Sequence, residues 1–193
     1  MIWRKWQRRV WPALIVAVLA GGTLAGRSPV FADRATRLQA TIEDVAARWP
    51  KQRHIATGEL AAMMRDGSAV LFDVRAPEEF AVSHLEGAIR VDAGTTRAAF
   101  LSENAPKLAG KLAVFYCSVG VRSSKLAERI GEAELKAAGA SGSANLTGGI
   151  FAWHGEERPL VDANGVTLLV HGYDRTWGQL VKRQELISND AKK

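Results

Sequence analysis

Five consecutive apolar residues, Leu112 to Tyr116, run into the only cysteine of the chain, Cys117, and on through SVGVR to Ser123 and Ser124. A short apolar run between Lys111 and a turn reads as a strand buried on both faces, since a half-exposed strand would alternate with polar residues. Beyond the loop, Leu126, Ile130 and Ala133 recur at helical spacing, with Ser123 or Ser124 as N-cap, and the pattern predicts one helix as far as Ala138, stopped by Gly139. A strand, a tight loop and a helix start bring backbone N–H groups and the helix dipole to one point, where they favour negative charge. The thiol of Cys117 stands at that point.

A thiol in such a cradle is expected to have a lowered pKa, because N–H dipoles and the charge of Arg122 stabilise the reactive thiolate. Gly120 supplies the backbone freedom that a loop with inward-curling N–H groups needs. The candidate anion-holding loop is therefore Ser118, Val119, Gly120, Val121, Arg122 and Ser123, with Cys117 as nucleophile. The competing explanation is that a cysteine ending a strand is only a small core side chain.

Elsewhere, strands and helices alternate. Strands are expected at Ile55–Ala56, Val70–Val74, Ala88–Val91 and Ala144–Leu146, with helices from Thr57, Pro77, Thr96 and about Ile150 between and after them. This alternation predicts an α/β fold, a parallel sheet with helices on both faces, in which ligands bind outside the carboxyl ends of the strands. Cys117, Asp73 and Arg75 all fall at such ends. The four histidines, at 54, 84, 154 and 171, show no ligand spacing, so no metal site is expected.

The run YCSVGVRSS resembles the active-site loop of rhodanese domains, which carry a transferable sulfur on a cysteine as a persulfide. Two further stretches agree with it, LFDVRAPEEFAVSHLEGAIRV at 71–91 and LTGGIFAW at 146–153. The resemblance implies a sulfurtransferase in which Cys117 attacks a sulfane sulfur, no cofactor is needed, and Asp73 and Arg75 brace the cysteine loop through charged hydrogen bonds. An ordinary surface ion pair is the alternative for these two residues. It also leaves His84 a supporting role beside a structural one. This chain departs from the family pattern in places. Ser118 stands where thiosulfate-preferring members often carry a basic residue, Val119 and Val121 make the mouth apolar, and Ser83 and Glu86 replace the glycine and proline usual around His84. A dianionic donor meets a single loop cation, so thiosulfate is expected to be a poor substrate.

The net charge of +6 belongs mainly to the first 32 residues, which hold five basic residues and no acidic one; the remainder is close to neutral. This removes the main argument for nucleic-acid binding. Residues 1–32 read as a secretory signal peptide, with a basic start, an apolar run from Val10 to about Ala25 and a Val-Phe-Ala exit before Asp33. The alternative is an uncleaved membrane anchor through residues 1–26, with Trp3, Trp6 and Trp11 at the interface. Arg8-Arg9 is a weak twin-arginine signal. Either way the domain is expected outside the cytoplasm, in a bacterial periplasm, free or anchored to the inner membrane. A lone thiol in an oxidising compartment is then to be read as reactive. Residues 33–52 form an N-terminal helical segment with Leu38, Ile42, Val45 and Trp49 on one face, 53–159 the rhodanese-like domain, and 160–193 a C-terminal extension. Within that extension Val166–Val170 is expected as a strand and Thr176 to about Leu186 as a helix.

The expected partners are a small sulfur-containing donor and a thiol or cyanide-like acceptor. A cysteine phosphatase is the enzyme rival, but such enzymes place five residues between cysteine and arginine, and Cys117 and Arg122 have four between them. The rival outside enzymology is a binding module that presents its helices or tail to a protein partner.

Overall fold

Residues 112–116 form the central strand of a five-stranded parallel sheet in a computed structural model that describes residues 29–190, the side chains from residue 33 onward. The strands are β1 (His54–Ile55), β2 (Ala69–Asp73), β3 (Ile89–Arg90), β4 (Leu112–Tyr116) and β5 (Gly142–Leu146), in the spatial order β1-β5-β4-β2-β3. The predicted leader lies outside the described residues, apart from its last four positions. Those open a helix, α1 (Pro29–Arg48), that begins ahead of Asp33. Among the described residues no helix is long and apolar enough to cross a membrane.

Alternation along β4 divides the core into two layers, because successive side chains of a strand point to opposite faces. Leu112, Val114 and Tyr116 face one cluster, packed by α2 (Thr57–Asp66) and by Ile150, Phe151 and Trp153 of α7 (Gly149–Gly155). Ala113, Phe115 and Cys117 face the other, packed by α4 (Arg97–Leu108), α5 (Val121–Ile130) and α6 (Glu132–Ala137). There Phe72 sits edge-on to Phe100 at 4.8 Å and stacks on Phe115 at 5.2 Å, the offset geometries that aromatic rings prefer. The remaining helix, α3 (Pro77–Val82), starts on its proline and precedes β3.

Three boundaries differ from expectation. The helix after the cysteine begins at Val121 behind Gly120, whose φ of 109° lies in the region glycine tolerates; Ser123 and Ser124 are buried inside its first turn and do not cap it. The same helix breaks at Gly131, φ 91°, into α5 and α6. The kink favours glycine because that φ is one L side chains rarely adopt. The C-terminal extension forms a hairpin, β6 (Leu160–Asp162) and β7 (Gly165–Thr167), then two short 3-10 turns at Trp177–Leu180 and Gln184–Leu186 in place of the expected single helix. Its Leu160, Val170, Leu180 and Val181 are buried in the same cluster as Ile55 and Leu146.

Candidate active site

β4 delivers Cys117 to the carboxyl edge at the middle of the sheet. The Gly120 N–H donates to its sulfur at 3.2 Å, and the N–H groups of Val121, Arg122 and Ser123 open α5, where a helix offers no carbonyl one turn back. The loop is held from behind by α7, since Ile150 N–H donates to the Cys117 carbonyl at 2.9 Å and Phe151 N–H to that of Ser118 at 3.1 Å. This approach requires Gly149, at φ 54°, because a Cβ there would lie 2.3 Å from the Cys117 oxygen. Gly120 is also closely packed, with Asn145 Nδ2 2.9 Å from where its Cβ would stand and Val45 of α1 behind it at 3.4 Å. Ser123 lies in the helix with its hydroxyl donating to Asn145 Oδ1 at 2.7 Å.

Arg122 is placed differently from expectation. Its guanidinium donates to both oxygens of Glu79, at 2.6 and 2.8 Å, and to the Ser118 hydroxyl at 2.9 Å, which in turn donates to Glu79 at 3.1 Å. Burial raises the Glu79 pKa, yet the bonds from Arg122 and the Ala76 N–H, with the charges of Arg122 and Arg75, outweigh it and hold that carboxyl below its ordinary value. Burial likewise works against the Arg122 charge, and the Glu79 bond with the nearby Cys117 sulfur pushes its pKa up. The one loop cation is thus matched by an almost fully buried carboxylate. Glu79 stands in the first turn of α3, where it also accepts from the Ala76 N–H at 3.0 Å, an ordinary place for an acid that gives no sign of a partner in the cysteine loop.

Asp73 and Arg75 are buried and turn their charges on each other, Nη2 to Oδ2 at 2.6 Å, and the same Arg75 Nη2 also donates to the Ser83 carbonyl at 2.6 Å. The expected charged bonds from this pair to the cysteine loop are replaced by those of Glu79. The pair acts one layer below, where the Arg75 guanidinium lies 5.8 Å from the centre of the Tyr116 ring, and Tyr116 itself leads into Cys117. His84 is structural in its contacts: it stacks on Phe80 at 3.7 Å, and its main chain pairs with Val161 of β6.

Above the sulfur is a cavity of about 180 Å³ lined by Cys117, Ser118, Val119, Val121, Arg122, Tyr173 and Trp177. The last two come from the extension, which sequence reasoning had not joined to the site. Cys117 is 1 % exposed beneath them. His171, also from the extension, accepts the Tyr173 N–H through Nδ1 at 2.9 Å; burial pushes its pKa down, and the charges of Glu79, Glu78, Arg75 and Arg122 surround it. A larger cavity of about 960 Å³ opens beside Leu71, Lys111 and Trp153, with no residue of the cysteine loop in its lining. Among the described residues no group of three His, Cys, Asp or Glu is arranged to hold a metal ion.

The site is thus a single cysteine at the carboxyl edge of a parallel α/β sheet, on a loop whose N–H groups favour negative charge. Residues 56–156, just over half of the chain, match the rhodanese-like domain, and the chain belongs to that family. It is 31 % identical over 113 residues to a tRNA uridine(34) hydroxylase of Listeria welshimeri, covering 58 % of this chain and 34 % of that one. It is 29 % identical over 165 residues to one of Staphylococcus haemolyticus, covering 76 % of this chain and 50 % of that one. The chain thus spans a third to a half of the length of these relatives. A thiosulfate sulfurtransferase of Pseudomonas aeruginosa superimposes with a TM-score of 0.50 at 18 % identity, covering 78 % of this chain and 27 % of that one, a likeness of fold alone. The sequence relatives are named for hydroxylation and the protein named for sulfur transfer shares only the fold, so the family does not by itself assign the reaction.

Proposed function

We propose that the protein is a sulfurtransferase that carries sulfur on Cys117. The observation behind this reading is the Gly120 N–H on the Cys117 sulfur at the start of α5, facing a small cavity. The Cys117 thiolate attacks the outer sulfur of a sulfane donor, the remainder of the donor leaves with the electron pair of the broken S–S bond, and a persulfide remains. An acceptor thiolate or cyanide then attacks the terminal sulfur and restores the Cys117 thiolate. The loop N–H groups stabilise negative charge on the terminal sulfur in both steps, and no cofactor takes part.

Incubation with thiosulfate or a polysulfide is expected to add about 32 Da to the wild-type chain and nothing to Cys117→Ser, whose hydroxyl cannot form a persulfide. Sulfur transfer persisting in a folded Cys117→Ser would remove Cys117 from the reaction, and a wild type that loads from no donor would return the domain to the binding-module reading. The place of action in this reading is outside the cytoplasm, supported by the basic, apolar and small-residue order of residues 1–32. Sequencing of the mature N-terminus is expected to begin at Asp33, whereas recovery of the intact chain in membranes would favour the anchored form.

A further inference from the structure

The extension does more than fill the core, because a loop between two close-packed glycines carries two aromatic rings to the mouth of the sulfur site. A Cβ at Gly178 would stand 3.7 Å from Gly172 Cα, and Asp174 ties the intervening turn through the N–H groups of Thr176 and Trp177, both at 2.8 Å. The base of the loop is fixed to the body. Arg183 donates to the His154 carbonyl at 2.7 Å, Lys182 to that of Gly155 at 3.0 Å, and Val170 and Val181 are wholly buried. Tyr173, 46 % exposed, has Arg122 at 4.6 Å from its ring centre, and Trp177 lines the same cavity.

Two consequences follow for any molecule entering. The Arg122 charge is matched by Glu79 on one side and covered by the Tyr173 ring on the other, which leaves the α5 N-terminus, worth about half a positive charge, as the main attraction for an anion. That suits one negative charge and leaves a second uncompensated. The walls formed by Val119, Val121, Tyr173 and Trp177 are apolar, and about 180 Å³ is below the ~300–1,000 Å³ of ordinary ligand sites, so the cavity takes the sulfur-bearing end of a donor with a small apolar group behind it.

Resting on the sulfurtransferase reading, we infer that Tyr173 and Trp177 set donor choice, favouring singly charged organic donors R–X–S⁻, organic thiosulfonates and organic persulfides, over the thiosulfate dianion. With a thiosulfonate the step balances as Cys117–S⁻ and ⁻S–SO₂R giving Cys117–S–S⁻ and RSO₂⁻. One S–S bond forms and one breaks, its electron pair leaves with the sulfinate, and two negative charges stand on each side. The organic group packs against the two rings while the outer sulfur meets Cys117.

The test is sulfur loading of the full-length chain, followed by intact mass with benzenethiosulfonate and with thiosulfate. The ratio of the two rates is compared between wild type and variants, so that the intrinsic reactivity of each donor cancels. Wild type is expected to load faster from benzenethiosulfonate, and the ratio to fall at least tenfold in the Tyr173→Ala/Trp177→Ala double variant. Should that variant fail to fold, Tyr173→Ala alone carries the test at a half-exposed side chain, with at least a threefold fall expected. Tyr173→Arg is expected to move the ratio further toward thiosulfate. Smaller changes, or a wild type that prefers thiosulfate, overturn the assignment while Cys117 loading keeps the sulfurtransferase reading intact. If neither donor loads Cys117, both fall.

Discussion

At the scale of single residues, the site depends on a carboxylate that serves as a counter-charge. Glu79→Ala is predicted to cost about 2–4 kcal/mol, since removing one partner of a buried pair strands the other, and the 26 % exposure of Arg122 keeps the value below the fully buried range. A urea melt that overlays wild type would show that the pair contributes nothing. Because the folded-state pKa of Glu79 is lowered, its contribution is complete above the ordinary value of 4.5 and is lost as pH falls from there through the folded value. The wild type is therefore expected to lose more stability on acidification below about pH 4.5 than Glu79→Gln does. Equal slopes in the two proteins would contradict this. Gly149→Ala is the sharper probe of the loop. A methyl 2.3 Å from the Cys117 carbonyl cannot be accommodated without moving that loop, so a loss of about 3 kcal/mol or more is expected by thermal denaturation, together with loss of sulfur loading. Cys117, Gly120 and Arg122 were legible because they lie within one stretch of chain. The use made of Arg122 was not, because Glu79 is 43 positions away and its capping role already accounted for an acid at that place.

At the scale of elements, the strands were the most legible part, since a buried parallel strand shows itself as a local apolar run. Helix ends were less so. A serine pair after a loop is an ordinary capping signal, yet Gly120, in the left-handed region, begins the helix earlier and turns Ser123 toward Asn145. The apolar pattern across 126–133 continued smoothly, but Gly131 interrupts it with a backbone angle that no spacing argument reveals. The extension was the least legible element. Its apolar residues read as an appended strand and helix, whereas they complete a core whose other members lie before residue 160. Chain ending at Pro159 would lose Leu160, Val170, Leu180 and Val181, each fully or almost fully buried and worth about 1.5–3 kcal/mol, a sum comparable with the ~5–15 kcal/mol that stabilises a domain. Such a chain is predicted to lack a cooperative unfolding transition. A sharp melt in the truncated protein would mean that the family-matched region folds alone and that the extension is merely docked.

At the scale of the whole molecule, three segments far apart in sequence converge on the carboxyl edge of the sheet: α1, the β4–α5 loop and the extension. α1 reaches the loop through Val45, behind Gly120, and the neighbouring β5–α7 turn through Ile42, whose Cδ1 lies 3.0 Å from where a Gly148 Cβ would stand. It also meets the extension, where Arg37 donates to Gln179 at 3.2 Å. The two coverings differ in what they bury. α1 contributes one fully packed side chain, Val45, with Leu38 and Ile42 half-buried, about 3–5 kcal/mol as an upper estimate. The extension supplies four members of the main core, so the molecule has one covering it can lose and one it cannot. A chain starting at Arg48 is accordingly predicted to fold cooperatively with a lowered urea midpoint, and to show faster hydrogen exchange at the Gly120 and Val121 amides once Val45 no longer packs behind Gly120. Exchange at those amides matching the full-length protein would mean that α1 does not cover the loop in solution, and a shortened chain that fails to fold would place α1 in the same structural class as the extension.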